Sequence, residues 1–238
     1  MRSNALDAIN TVVSYVRLYM PNNTNRILHD KILDAAELLF AQAGFDGATL
    51  RQITRAAKVN LAAVNYHFGN KESLFCEVLV RRLRPINESR LAGLLEAERV
   101  AGGAPVPLAV IIDSLVRPLF ALGQDPVGGG QHTLRILGRC LTEPQPFMAG
   151  LLSRELHPVV ARFGQAIRRH APALTPEDFL WRLSFMVGAL HHTLATMHSM
   201  KELTRGICRS DDHEGAQRRF IQFAMATFTC PAAGMENS

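Results

Sequence analysis

Strand-like alternation of apolar and polar residues is hard to find along this chain, and Gly and Pro fall between stretches of helical periodicity. That pattern predicts an all-α fold. Helices are expected at about 26–43, 49–57, 61–68, 71–98 and 107–123, then to about 142, to about 170, from 177 to about 200, and over about 214–229. Breaks fall at Ala101-Gly102-Gly103-Ala104-Pro105, at Asp125-Pro126 with Gly128-Gly129-Gly130, and from Pro172 to Pro176, while Pro144 and Pro146 open a long helix. Residues 1–25 form a weakly patterned leader, with translation from Met1 or from Met20 both left open. At 238 residues the chain can build a sizeable core, and a composition 47% hydrophobic and 20% charged excludes a disordered polymer. No apolar run reaches the roughly 18–20 residues of a membrane span, and the leader lacks the unbroken apolar segment of a signal peptide. Cys76, Cys140, Cys208 and Cys230 are scattered, which suits reduced thiols and a cytoplasmic location better than a disulfide frame. A net charge of +5 permits a polyanionic partner without requiring one.

The region after the leader carries the most local information. Leu28, Ile32, Ala35, Leu39 and Ala43 predict an apolar stripe on the first helix, which Gly44 ends. Thr49-Leu50-Arg51-Gln52 is a capping-box pattern, and the short helix behind it is expected to turn Leu50, Ile53 and Ala57 inward. Lys58-Val59-Asn60 makes a tight connection, with Asn60 capping the next helix. Two short helices joined by such a turn form a helix-turn-helix, whose second member can enter a DNA major groove. On a wheel of about 100° per residue, Val64 and Phe68 point to the core with Leu61 nearby, while Ala62, Ala63, Asn65 and Tyr66 face away. Small residues allow close approach to base edges, and an amide such as Asn65 can pair with adenine. Lys71 follows the N-cap residue Asn70. It opposes the helix dipole there unless an anion such as phosphate occupies the same end.

The run from Arg26 to about Ile86 resembles the DNA-binding domain of the TetR family of bacterial transcriptional regulators. The residues that carry the likeness are Ile32-Leu33-Asp34-Ala35-Ala36 with Leu39-Phe40, Gly44-Phe45, Thr49, Ile53, Ala56-Ala57, and the run NYHFGNKESLF from Asn65 to Phe75. The resemblance implies an N-terminal three-helix helix-turn-helix head over 26–86 and a C-terminal helical ligand-binding and dimerisation body over 87–238, behind an extension at 1–25. It implies phosphate contacts from Thr49, Tyr66, His67 and Lys71 and base contacts from Ala62, Ala63 and Asn65. Asn60 is counted with the same DNA-binding set. One departure stands out: Lys58 occupies the turn position where the family usually has glycine.

The remainder is less informative. Two strongly apolar segments, Phe179 to Ala189 and Phe220 to Ala226, need cover on several sides, and the resemblance implies that the last two long helices build a homodimer interface. The stretch Leu174 to Thr193, with Glu177, Phe179, Trp181, Arg182, Phe185 and Gly188, is similar to a subgroup that includes fatty-acid-responsive repressors. Phe120, Phe147, Met148, Leu151, Trp181 and Met186 are the candidates to line an effector pocket, although simple core packing explains each of them as well. His191, His192 and His198 share a helix without a carboxylate or cysteine to complete a metal site, so no metal and no cofactor is expected. Ser153 and His157 lack a nucleophile elbow, and Gly128-Gly129-Gly130 lacks the following G-K-[ST] of a phosphate loop, so no enzyme is expected. Arg81, Arg82 and Arg84 are expected on a solvated helix face.

The expectation is therefore a repressor that binds a palindromic double-stranded DNA operator as a homodimer and is released by a small apolar, fatty-acid-like effector. It would be cytoplasmic, associated with the nucleoid when on DNA, and without a membrane partner. The alternative is a helical adaptor of the same fold that does not bind DNA.

Overall fold

In unfolded chains short helices are unstable, so each must be fixed by caps and by burial of one face. A computed structural model describes residues 23–124, 129–143, 145–209 and 211–231. The leader up to Asn22, the segment 125–128 and Pro144 lie outside the described residues, as does the His198 side chain. No strand occurs among the described residues. The helices are α1 (Asn23–Gly47), α2 (Leu50–Ala57), α3 (Leu61–Phe68), α4 (Lys71–Ala101), α5 (Leu108–Gly123), α6 (Gly130–Thr142), α7 (Ala149–Arg168), α8 (Pro176–Thr196), the short α9 (Met200–Leu203) and α10 (His213–Thr229). Single 3-10 turns lead into α7 (Pro146–Met148) and follow α8 (Met197–Ser199), so the eighth helix ends short of the expected residue 200. Prolines are not confined to breaks: Pro85, Pro118 and Pro158 lie inside α4, α5 and α7. The chain divides into two units, Met1–Val78 and Leu79–Ser238.

In the first unit, Ile32, Leu33, Ala36 and Phe40 of α1, Ile53 of α2, Val64 and Phe68 of α3, and Leu74, Phe75 and Val78 of α4 are buried together with Ala48. The expected stripe on α1 is displaced. Ile32 belongs to the core, but Leu28, Ala35 and Leu39 are half-buried and Ala43 is exposed. The reason is aromatic: Phe40 meets the Phe75 ring edge-on at 4.8 Å, and Phe45 meets it at 5.3 Å, which rotates α1 toward Phe40. Leu61 also departs from expectation. It is 44% exposed at the start of α3 because Val64 and Phe68 already fill the space beneath that helix. Ile53 is buried as expected, with Leu50 and Ala57 half-buried on either side. Within α1, Gly44 takes φ 74° and breaks the helical path near the expected point.

The capping residues act as their spacing suggested. Thr49 and Gln52 complete a capping box, Asn60 Oδ1 accepts from the Ala63 amide at 2.8 Å, and Asn70 Oδ1 accepts from the Ser73 amide at 2.8 Å. Lys58 adopts the left-handed conformation, φ 56° and ψ 45°. Its amide donates to the Arg55 carbonyl at 3.3 Å, and the Val59 amide reaches back to the Thr54 carbonyl at 3.0 Å, a Schellman ending. The turn thus keeps the geometry that a glycine would give, and lysine is accommodated in it with backbone strain.

In the second unit α5 is central. It packs against α6, α7, α8 and α10, and buries Leu108, Ile111, Ile112, Leu115, Val116, Leu119 and Phe120. Arg182 of α8 donates to the carbonyls of Thr227 and Cys230 at 2.6 Å each, capping the end of α10. Arg84 is exposed as expected of a solvated face, but it also pairs with Glu155 at 3.3 Å; Arg81 and Arg82 are half-buried. Replacing Lys58 by glycine is expected to stabilise the chain by about 0.5–1 kcal/mol, because relief of left-handed strain outweighs glycine's extra unfolded entropy. Denaturant unfolding checks this; a lower midpoint for Lys58→Gly would contradict it.

Candidate nucleic-acid interface

The outer face of α3 is set by what its inner face buries. With Val64 and Phe68 in the core, Ala62, Asn65 and Tyr66 are exposed and Ala63 is half-buried. These residues form a surface of two methyl groups, one amide and one phenol, with no charged group on the helix itself other than what His67 can carry. Tyr66 is 78% exposed, its ring edge-on to His67 at 5.2 Å. His67 in turn lies 5.8 Å from His29, which stacks on Phe68 at 4.7 Å and meets Glu77 through Nε2 at 3.1 Å. This chain of rings orients Tyr66 from the core outward.

Two turns bracket α3. Behind it, Gly69 takes φ 77° and ψ −65°, and the Asn70 amide donates to the Phe68 carbonyl at 2.9 Å. That is a γ-turn of the kind that is strained for residues with a side chain. It lets α4 begin with only Gly69 and Asn70 between it and α3, and puts Lys71 and Glu72 in its first turn. The Lys71 ammonium sits 4.4 Å from the centre of the Phe45 ring. That contact is worth roughly 0.5–1 kcal/mol at an exposed site, enough to park the charge without fixing it. Glu72 favours the positive end of the helix dipole, while Lys71 opposes it.

Two of the polar candidates are already engaged. The Thr49 hydroxyl donates to Gln52 Oε1 at 2.8 Å and accepts from the Gln52 amide at 3.2 Å. Asn60 uses its carbonyl oxygen as a cap and keeps its NH2 group as a donor. So Asn65, Tyr66 and the alanines are presented freely, whereas Thr49 and Asn60 hold helix starts in place.

Two family models match this chain. "Bacterial regulatory proteins, tetR family" covers residues 32–78, and "Tetracyclin repressor-like, C-terminal domain" covers residues 113–227. Together they account for more than half of the chain. It belongs to the TetR family of bacterial transcriptional regulators. Members of this family are DNA-binding regulators, and the head and helical body described above are the family's two parts. The chain is also 40% identical over 48 residues to IcaR, the negative transcriptional regulator of a biofilm operon in Staphylococcus epidermidis. That match spans 20% of this chain and 26% of the relative, about a quarter of its length. Among solved structures, the fatty acid degradation regulator FadR from Bacillus halodurans aligns with a TM-score of 0.61 at 16% identity, over 89% of this chain and 97% of that one. A putative tetR-family regulator from Shewanella sp. PV-4 gives 0.58 at 15% identity, over 82% and 97%. At these identities the likeness concerns the fold alone.

The TetR-type body contains a cavity of about 180 Å³. Of the effector-pocket candidates read from sequence, Met186 lines it. Leu151 and Met148 are buried outside that lining, with the Met148 sulfur 3.9 Å from the cavity residue Cys140. Phe120 is fully buried beside Phe220 at 6.2 Å, and Phe147 is half-buried. Trp181 is 57% exposed, 5.7 Å from the Phe185 ring, on the opposite side of α8 from Met186 and Leu190. The cavity therefore does not gather these residues into one site. Two polar groups stand on its wall: His191, which the sequence marked as one of three histidines on a helix, and Arg90, which the sequence reading missed. A signal for Arg90 existed, since Leu83, Ile86, Arg90 and Leu94 share one buried face of α4. Among the described residues no group of three His, Cys, Asp or Glu side chains is placed to hold a metal ion.

Gly69→Ala is expected to destabilise the chain by about 1–3 kcal/mol through backbone strain, since a methyl group there meets no neighbouring atom. Asn60→Ala is expected to cost about 1 kcal/mol by loss of the cap, and Asn65→Ala less than about 0.5 kcal/mol. Thermal unfolding of the three variants separates scaffold from presented surface.

Proposed function

We propose that this TetR-family regulator is a repressor that binds a palindromic operator as a homodimer and leaves it when a small apolar effector occupies the body. The observation that carries the reading is the outer face of α3, where Ala62 and Asn65 are exposed and Ala63 half-buried beside them while Val64 and Phe68 anchor the helix. In this reading the alanine methyl groups and Asn65 read base edges, and Tyr66, His67, Lys71 and Thr49 hold phosphates, with Asn60 at the mouth of the helix. Lys71 would leave Phe45 for a phosphate at the start of α4, where the helix dipole adds to its charge. The Thr49 hydroxyl would serve by turning its proton from Gln52 to the phosphate.

A palindrome requires two reading helices about 34–36 Å apart, hence a dimer. Leu180, Trp181 and Phe185 of α8 and Phe223 of α10 are exposed large apolar side chains on neighbouring helices. Exposed apolar area of this kind favours a second copy over water. Effector and operator then influence each other through one coupling free energy, equal in both directions.

Selection of random duplex DNA on the purified protein, compared with the DNA upstream of its own gene, tests the reading. A palindromic motif present upstream is expected; no enrichment at low salt from folded protein would favour the non-DNA-binding adaptor. On the selected operator, Asn65→Ala should relax preference at one position per half-site, by roughly 1–3 kcal/mol. Lys71→Ala should weaken all sequences alike and reduce the salt slope by about one per half-site. Trp181→Glu with Phe185→Glu should give a monomer in sedimentation, since buried like charges oppose association. A dimer retained by that variant would move the interface elsewhere.

A further inference from the structure

The wall of the 180 Å³ cavity is almost wholly apolar, with Leu119, Leu137, Phe163, Met186 and Leu190 among its residues. Arg90 interrupts it. This arginine is only 8% exposed. Its Nε donates to the Leu115 carbonyl at 2.8 Å, and Nη1 donates to Asn87 Oδ1 at 3.2 Å. Both acceptors are neutral. Asn87 is itself buried and is held by donating to the Glu155 backbone carbonyl at 2.8 Å. The Glu155 carboxylate is committed to Arg84 and Arg154. No carboxylate pairs with Arg90 among the described residues, and Nη2 makes no hydrogen bond to any of them.

A buried charge without a counter-ion costs several kcal/mol relative to a paired one. Burial pushes the Arg90 guanidinium down to about 10, which still leaves it charged at neutral pH. Arg90 is therefore a fixed cation, oriented by two neutral acceptors, with donors left over on an apolar cavity. His191 lies on the same wall. Its Nδ1 faces the Val187 carbonyl at 2.9 Å, and burial, then the neighbouring Arg90 charge, hold its imidazole below the usual histidine range. It contributes no negative charge.

We propose that this cavity binds a small apolar acid, with the ligand's carboxylate paired to Arg90 and its hydrocarbon part among Leu119, Phe163 and Met186. The inference rests on the reading of the body as an effector-binding unit and names the chemistry that unit selects. A volume near 180 Å³ compares with the roughly 150 Å³ of an apolar cavity that admits benzene, so one ring or a short chain fits it without displacing helices. The carboxylate supplies the missing counter-charge, and a planar guanidinium matches it with two parallel hydrogen bonds. A neutral ligand of the same shape leaves Arg90 unpaired.

The test is calorimetry on the full chain with benzoate and the linear carboxylates from hexanoate to dodecanoate, each against its primary amide. At least one acid is expected to bind roughly tenfold or more tightly than its amide. In Arg90→Met that preference is expected to vanish. Amides binding as tightly as acids, or no acid binding at all, overturns the proposal. Gly164 also lines the cavity, and a Cβ atom built there meets no atom within 4 Å. Gly164→Phe should therefore fill the space with the charge intact and abolish acid binding, and it keeps the test decisive should Arg90→Met fail to fold. Acid binding that survives Gly164→Phe places the site elsewhere and overturns the proposal. Operator affinity measured with and without the bound acid separates the two readings. Acid held in the cavity with no change in operator affinity supports the pocket and removes the effector-released repressor. Operator release by the amides alone retains the repressor and overturns the acid-selective pocket.

Discussion

In eight residues, α3 buries two large side chains, Val64 and Phe68, one turn apart on a helix too short to persist alone. Those two contacts decide which way the helix faces. Were the register to slip by one residue, the buried pair would be Ala63 and His67, and the unit would lose most of the apolar area that holds α3. The alanines, the amide and the phenol on the outside are consequences of that anchoring. Lys58 and Gly69, both at positive φ, fix the helix at its two ends. Their strain is tolerated because the Schellman hydrogen bonds, the Asn60 cap and the Asn70 cap satisfy the backbone groups that a sharp turn would otherwise leave open.

The body obeys a different constraint. Its central helix α5 buries one broad apolar face, from Leu108 to Phe120, so each neighbour packed there must present an apolar stripe to it, and a charged group on such a stripe is costly. Arg90 is accommodated by the Leu115 carbonyl of that same helix and by Asn87 one turn away on its own. The arrangement orients the guanidinium without neutralising it. Rigidity and charge are thereby combined at a cavity, which is the condition for selecting a ligand by its charge as well as its shape. On α8 the opposite holds: large apolar groups such as Trp181 lie outward, where a second copy of the chain can cover them in the proposed dimer.

The signals that were legible in the sequence share a short range. Capping by Thr49, Asn60 and Asn70 needs only the amide or side chain three residues on, and all three act as read. The limits of α3 and the break at Gly44 were readable for the same reason. The turn at Lys58 was half legible: its position was plain, but only the structure decided that lysine, without glycine's freedom, takes the left-handed form.

What the sequence did not determine depends on which helices meet. The buried face of α1 follows the Phe40–Phe75 contact between residues far apart in the chain, so the local stripe pointed slightly aside. Pro85, Pro118 and Pro158 continue helices instead of ending them, because packing on both sides outweighs the lost backbone bond. Trp181 and Met186 are five residues apart on one apolar helix, and periodicity alone does not say which faces the cavity and which the surface. The sequence by itself determined the all-helical class, the helix-turn-helix and its caps, since hydrogen bonds and periodicity are local. The presented face of α3 was legible on the same grounds, with Val64 and Phe68 buried as their spacing indicated, whereas the tertiary structure decided the exposed apolar face of α8 and the lone charge in the cavity. Burial and the absence of a counter-ion are properties of a packed neighbourhood, which no single segment carries.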